Sequence, residues 1–224
     1  MNNNDTSVKL VVSGDYACFT RPEMKVERVS YEIMTPSAAR GVLEAILWKP
    51  AIRWIVTGID VLKPVRWTTV RRNEVSKVIP AGTVKTAKKR GSGQLGLFIE
   101  EERQQRAGLF LRDVTYVIHA RFEMTERAGE SDTPTKFAEM FKRRLAKGQC
   151  FHRPYLGCRE FAAHFEPVEA HSPETLPIDD TRDLGWMFYD YDYSSSSPTP
   201  RFFEAKLKNG RLSIPEPHSP EVHS

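Results

Sequence analysis

The chain has 224 residues, 40% of them hydrophobic, with three cysteines and a formal net charge of +4. That apolar fraction excludes wholesale disorder, and an odd cysteine count argues against a disulfide framework. No run of about 18 apolar residues is present to span a bilayer, and one large domain or two small ones fit the length. The opening MNNNDTSVKL lacks the basic and apolar segments of a secretory leader, so a reducing, cytoplasmic compartment is expected.

Ser7 to Gly14 reads as a first strand, β-branched and ending at glycine. Asp15 to Ser30 is polar and broken by Pro22, which predicts a loop or an irregular hairpin. Thr35 is a helix N-cap with Pro36 in the first position, and Ala39, Val42, Leu43, Ile46 and Leu47 form one apolar stripe. Pro50 ends that helix near Trp48. Ala51 to Trp67 reads as one long strand, or as two joined near Lys63-Pro64. Residues 71–108 have scattered glycines and little apolar periodicity, which predicts a basic mobile loop.

Leu111 to Met124 alternates cleanly. Val114, Tyr116, Ile118, Ala120 and Phe122 share one face; His119 and Arg121 lie on the other. A second helix opens at Thr133-Pro134, closes at Gly148 and buries Phe137, Phe141 and Leu145. Arg159 to Pro167 reads as a further strand. Past an acidic, proline-rich segment come two strand-like runs, Trp186 to Tyr193 and Arg201 to Ile214, the latter with an Asn209-Gly210 hairpin signal.

The order strand, helix, strand, strand, helix, strand is the βαββαβ order of the ferredoxin-like fold, shared by RNA-recognition modules. The expected class is α+β: a ferredoxin-like domain over 1–166, a C-terminal antiparallel β subdomain over 167–215 and a disordered tail over 216–224. Helices cover one face of such a sheet, and His119 and Arg121 are expected to point from the open one.

Charge is segregated along the chain. Residues 71–90 hold seven Lys/Arg against Glu74, and residues 136–159 hold seven against Glu139. Residues 166–192 hold eight acids against Arg182. Two basic blocks suit a polyphosphate, because each neutralised phosphate releases condensed counterions. Candidate phosphate contacts are Arg71, Arg72, Lys88, Lys89, Arg90, Arg121, Arg143, Lys147 and Arg153, with Tyr155 beside them. A single charge run is commonly just a solvated face. Duplex DNA is a second ligand for such a surface, since phosphate contacts carry no sequence information.

Cys150, His152, Cys158 and His164 invite a metal reading, but C-x-H, H-x5-C and C-x5-H match neither half of a structural zinc pattern. Cys150 and Cys158 are expected to be small buried hydrophobes, with no metal bound. No G-x-S-x-G, Walker or dinucleotide-binding pattern is present, so no cofactor is expected. Metal-free RNA cleavage remains open, because RNA brings its own 2′-hydroxyl nucleophile and needs a base, an acid and a cation. His119, His152, Tyr155, Lys136, Lys147 and Arg153 have the right chemistry. Each also has a structural alternative, a histidine on a strand face above all.

Four stretches, SGDYACFTRPE (Ser13 to Glu23), PSAARGVLEAILWKP (Pro36 to Pro50), KPVRW (Lys63 to Trp67) and KGQCFHRPYLGCREF (Lys147 to Phe161), together resemble the CRISPR-associated Cas family-five proteins of type I-C systems. The resemblance runs from about residue 7 to 215. It implies a ferredoxin-like RNA-binding domain followed by a small β domain. It also implies metal-independent cutting of precursor CRISPR RNA within each repeat. The product's 5′ handle would then be retained as part of the type I-C Cascade complex, with that complex's other subunits as partners. The family's catalytic tyrosine falls on Leu47 and its Lys-His pair on Lys136 and Phe137, so of the three only Lys136 is retained. His119 and His152 are the expected substitutes, ahead of Tyr155 and Tyr31. A non-catalytic subunit that only binds the handle is the alternative, and a gel shift of repeat RNA without shortening would identify it.

Overall fold

A computed structural model describes residues 6–93, 95–169 and 175–224. Four strands form the centre: β1 (Ser7–Ala17), β2 (Ile52–Val61), β4 (Arg103–Met124) and β5 (His164–Pro167). They lie in the order β5-β1-β4-β2, antiparallel throughout. Taken as first, second, third and fourth strands, these have the ferredoxin-like arrangement fourth-first-third-second. Two helices, α1 (Pro36–Ile46) and α4 (Pro134–Ala146), cover one face. Leu10, Val12, Ile118 and Phe122 from the sheet meet Val42, Leu43, Ile46, Phe137 and Phe141 from the helices in one core. The alternation that predicts this face in β4 holds from Val114 to Phe122.

The segment 71–108, expected as a mobile loop, carries regular elements among its described residues and forms an arm. β3 (Trp67–Val75) pairs antiparallel with the first part of β4, Arg103 to Leu111. α2 (Ala81–Arg90) and the short α3 (Ile99–Glu102) lie between the two strands. The strands have polar residues on both faces, so no apolar period marks them. Cross-strand charge holds them instead: Glu74 accepts from Arg106 (3.1 Å) and pairs with Arg72 (3.3 Å). At the far end Lys77 and Ser76 both donate to Glu102, at 2.6 and 2.7 Å. β4 bends at Asp113, whose φ of 53° is unusual for a residue with a side chain. Lys63 and Arg66 both donate to its carboxylate there.

β6 (Arg182–Asp192), β7 (Thr199–Lys208) and β8 (Arg211–Ser213) extend the same sheet, because β8 pairs with the outer edge of β2. The hairpin between β7 and β8 turns at Asn209 and Gly210, both with positive φ. Leu184, Met187, Phe203 and Leu207 join the central core, so the C-terminal strands continue the first domain's interior. Arg40 of α1 clamps them with a two-pronged contact to Asp190, at 2.7 and 3.0 Å. In the C-terminal segment 216–224, the backbones of His223 and Phe202 exchange hydrogen bonds of 2.7 and 2.8 Å.

Candidate nucleic-acid interface

The C-terminal turn of α1 organises the site. A helix leaves its last carbonyls without intrahelical partners, and here three are satisfied from distant parts of the chain. Ala45 O accepts from the Phe151 amide at 2.8 Å. Ile46 O accepts from the Arg144 guanidinium at 2.5 Å, and Leu47 O from the Trp54 indole at 2.8 Å. The turn is therefore held from the 147–153 loop, from α4 and from β2. Leu47 itself points into the core and is fully buried, so the position matched to the family tyrosine faces away from solvent. The neighbouring Trp48 is exposed instead, and Phe151 and His152 stand exposed beside the turn.

Lys136 lies in the first turn of α4. Thr133 caps that helix by accepting from the Lys136 amide at 3.2 Å. The Lys136 ammonium donates to Asp132 at 2.9 Å and sits 5.7 Å from the centre of the Phe137 ring. Lys136 holds the Asp132 carboxyl below its usual range, the Gly129 amide assists, and Lys49 adds a further pull from the end of α1. Phe137 is buried, so the position matched to the family histidine is a core ring. The His152 amide thus approaches Ala45 O at the end of α1, while Lys136 is held at the start of α4 by Asp132, whose carboxyl also feels the Lys49 charge. Arg143, Lys147 and Arg153 are exposed on α4 and the following loop, with no carboxylate partner among the described residues.

The arm carries the second basic block. Lys88, Lys89 and Arg90 fill the last turn of α2, where they suit the helix dipole, and Gly91 ends it at φ 67°. No residue of α2 is buried. Arg71 is exposed on β3. Arg72 is not free: it is held by Glu74 and Glu160 and lies over the Phe110 ring.

Four expected site residues are placed differently. His119 does lie on the sheet face away from the helices, but that face is covered where it stands. The residue is only 7% exposed, and its Nε2 meets Asp60 Oδ2 at 2.5 Å. The Arg211 side chain, brought in by β8, lies over Gly58 and 3.5 Å from Asp60. Arg121 is engaged by Glu123 and Glu216, at 2.5 and 2.7 Å, rather than open to phosphate. Tyr155 is half-buried in a bridge to Ala162. Tyr31 is buried, with its hydroxyl accepting from the Phe188 amide.

Among the described residues no three His, Cys, Asp or Glu side chains come together as metal ligands. Cys150 packs against the core. Cys158 lies against the fully buried Cys18, and Arg28 donates to its sulfur at 3.4 Å. A hydrogen bond from the Cys18 thiol and the nearby Arg28 charge bring the Cys158 thiol down to about 6, against burial. Iodoacetamide labelling of Cys158 should therefore rise through about pH 6 and level off above pH 7, whereas an ordinary thiol keeps gaining rate towards pH 8.5. Mass spectrometry of the labelled peptide reads this directly.

Known proteins were compared with this chain. The family model Cas_Cas5d, described as CRISPR-associated protein (Cas_Cas5), matches residues 7–215. A Mannheimia succiniciproducens protein named CRISPR pre-crRNA endoribonuclease Cas5d is 52% identical over 222 residues, covering 96% of this chain and 97% of its own. A Thermus thermophilus protein of the same name is 39% identical over 235 residues, covering 96% and 94%. A solved structure described as a CRISPR-associated protein shares the fold, with a TM-score of 0.69 at 23% identity over 97% of this chain and 96% of that one. With a family model and two full-length relatives in agreement, the chain belongs to the Cas5d family of CRISPR-associated proteins.

Proposed function

We propose that the chain is an endoribonuclease that cuts precursor CRISPR RNA within its repeats without a metal ion, then stays on the 5′ handle as a subunit of the type I-C Cascade complex. The observation that supports this reading is the exposed His152 in the loop docked on the end of α1, next to the helix α4 that carries Lys136 and Arg143 and is capped by Lys147. It occurs in a chain 52% identical to a protein named as a pre-crRNA endoribonuclease.

The reaction uses the RNA's own 2′-hydroxyl. Its oxygen attacks the adjacent phosphorus while its proton passes to a base, and the bond from phosphorus to the 5′-oxygen breaks as that oxygen takes a proton. The products are a 2′,3′-cyclic phosphate and a 5′-hydroxyl. His152 is the residue that exchanges protons, and Lys136 neutralises charge on the non-bridging oxygens. Leu47 and Phe137 have no group that titrates, so neither can take the part of its family counterpart. His119, buried against Asp60, is assigned to the fold.

Arg71, Lys88, Lys89 and Arg90 on the arm, with Arg143, Lys147 and Arg153 near the turn, hold the phosphate backbone. A helix of this length with no buried face is marginal in water, so α2 gains stability when phosphates lie along it. Replacing Lys85, Lys88, Lys89 and Arg90 together by alanine should flatten the plot of log affinity against log salt by up to about 3 units, near 0.7 for each contact to single-stranded RNA. Titrations at several salt concentrations measure this, and a repeat-sequence DNA duplex as competitor tells whether the same cations serve DNA. Incubating purified protein with its own repeat RNA in EDTA tests the nuclease: shortened RNA supports it. RNA that is shifted in a gel yet intact leaves a handle-binding subunit.

A further inference from the structure

We infer that Trp48 and Phe151 form a stacking platform for two unpaired RNA bases beside the scissile phosphate. This rests on the reading above that the end of α1 faces RNA, and it adds how the strand is held there.

Both rings are large and exposed, Trp48 by 60% and Phe151 by 83%. Both stand on a backbone that is held firmly. Trp48 directly follows Leu47, whose side chain is buried and whose carbonyl is capped by Trp54. Phe151 is tied by its own amide to Ala45 O, and the Arg144 guanidinium fills the carbonyl between them, that of Ile46. Two rings on rigid backbone need little further ordering when a ligand arrives, which favours binding. Neither ring is required by the fold, since the interior beneath the turn is completed by Leu47, Trp54 and Phe141.

The surroundings identify the ligand. Lys49, Lys136, Arg143, Lys147 and Arg153 are all near this turn or on the helix and loop that hold it, and the carboxylate beside Lys136, that of Asp132, is already paired with it. Aromatic faces among cations are the combination that holds single-stranded nucleic acid: bases stack on rings while the backbone follows the charges. An apolar protein partner would gain nothing from Lys49, Arg143, Lys147 and Arg153, which have no carboxylate partner among the described residues. The Phe151 ring also stands 6.0 Å from the His152 ring, nearly perpendicular to it. A base stacked on Phe151 therefore places its sugar and phosphate close to His152, which makes the platform a positioning device for the proposed cut.

The test is binding, measured by fluorescence anisotropy with the chain's own repeat RNA and with an unpaired oligouridine. Trp48→Leu and Phe151→Leu keep apolar bulk but remove the π face. Each should weaken both RNAs about tenfold while the salt slope stays that of the unsubstituted chain, and Trp48→Phe should recover most of the loss. Thermal midpoints should be unchanged, because both side chains are exposed. Unchanged affinities in both leucine variants would overturn the platform, and so would a loss that appears as a shallower salt slope. Binding is read separately from cleavage: an unsubstituted chain that never cuts overturns the nuclease alone, and one that binds no RNA at low salt overturns both.

Discussion

Replacing His152 by alanine should slow single-turnover cleavage of repeat RNA by about 10²–10⁴-fold while leaving affinity for the repeat nearly unchanged. The expectation follows from location. His152 is an exposed histidine in the loop that docks on the end of α1, and its amide also approaches Ala45 O at 3.4 Å. His152→Gln keeps hydrogen-bonding capacity but cannot move a proton at this rate, so it should be as slow as alanine. Lys136→Ala should cost about 10²–10³ in rate, the scale for removing one group that stabilises developing charge. Lys136→Arg should recover part of that, since the charge is kept and its shape altered. His119→Ala gives a different signature: a lower thermal midpoint because Asp60 loses its partner, with the cutting rate per folded molecule intact. Equal rates for His152→Ala and the unsubstituted chain would remove His152 from the chemistry.

The largest stability effect is expected at Phe141. It is fully buried, with its ring centre 4.9 Å from that of Trp54, which also meets Phe122 at 5.4 Å in an edge-to-face contact. Phe141→Ala leaves a cavity in the middle of the helix-sheet layer and should cost about 3–5 kcal/mol. At about 2–4 °C per kcal/mol for a chain of this size, the thermal midpoint should fall by roughly 10 °C. The substitution also reaches the site, because the Trp54 indole that packs on Phe141 is the donor to Leu47 O. A Phe141→Ala protein assayed below its midpoint should thus bind repeat RNA less well than its folded fraction predicts. Phe151→Leu is the surface control and should stay within about 0.5 kcal/mol of the unsubstituted chain. Urea or thermal unfolding followed by circular dichroism separates the two.

Much of this fold is legible in the sequence because its central elements obey one period each. The stripe in α1, the alternation in β4 and the Thr-Pro openings of both helices mark the βαββαβ module, and Asn209-Gly210 marks the last hairpin. The arm is illegible for a physical reason. β3 and the start of β4 bury little on either face and are held by Arg72, Glu74 and Arg106, and ion pairs leave no hydrophobic period. His119 shows a second limit. Strand parity places it on the face away from the helices, yet parity says nothing of what covers that face. Its partner there, Asp60, is also reached by Arg211, 92 residues further along the chain than His119.

Part of the proposed site is legible in the sequence. Lys136, Lys147, Arg153 and His152 lie close together in the sequence, and Lys136 stands at a position that the resemblance implies is catalytic. What sequence could not show is that the donors capping the end of α1 come from Trp54, Arg144 and Phe151, three separate elements. Exposure of Trp48 and Phe151 is equally invisible there, because an aromatic residue beside an apolar stripe reads as core. The buried Leu47 and exposed Trp48 are adjacent in sequence and opposite in fate, which follows from the extended backbone at the helix end.

The most direct measurement is cleavage of the chain's own repeat RNA in EDTA, with both product ends mapped, alongside a substrate carrying one 2′-deoxy sugar at the scissile position. Cutting of the all-ribose RNA, leaving a 2′,3′-cyclic phosphate and a 5′-hydroxyl, and no cutting of the deoxy substrate, is the predicted result. Cleavage that requires added magnesium, or that leaves a 3′-hydroxyl and a 5′-phosphate, would contradict it.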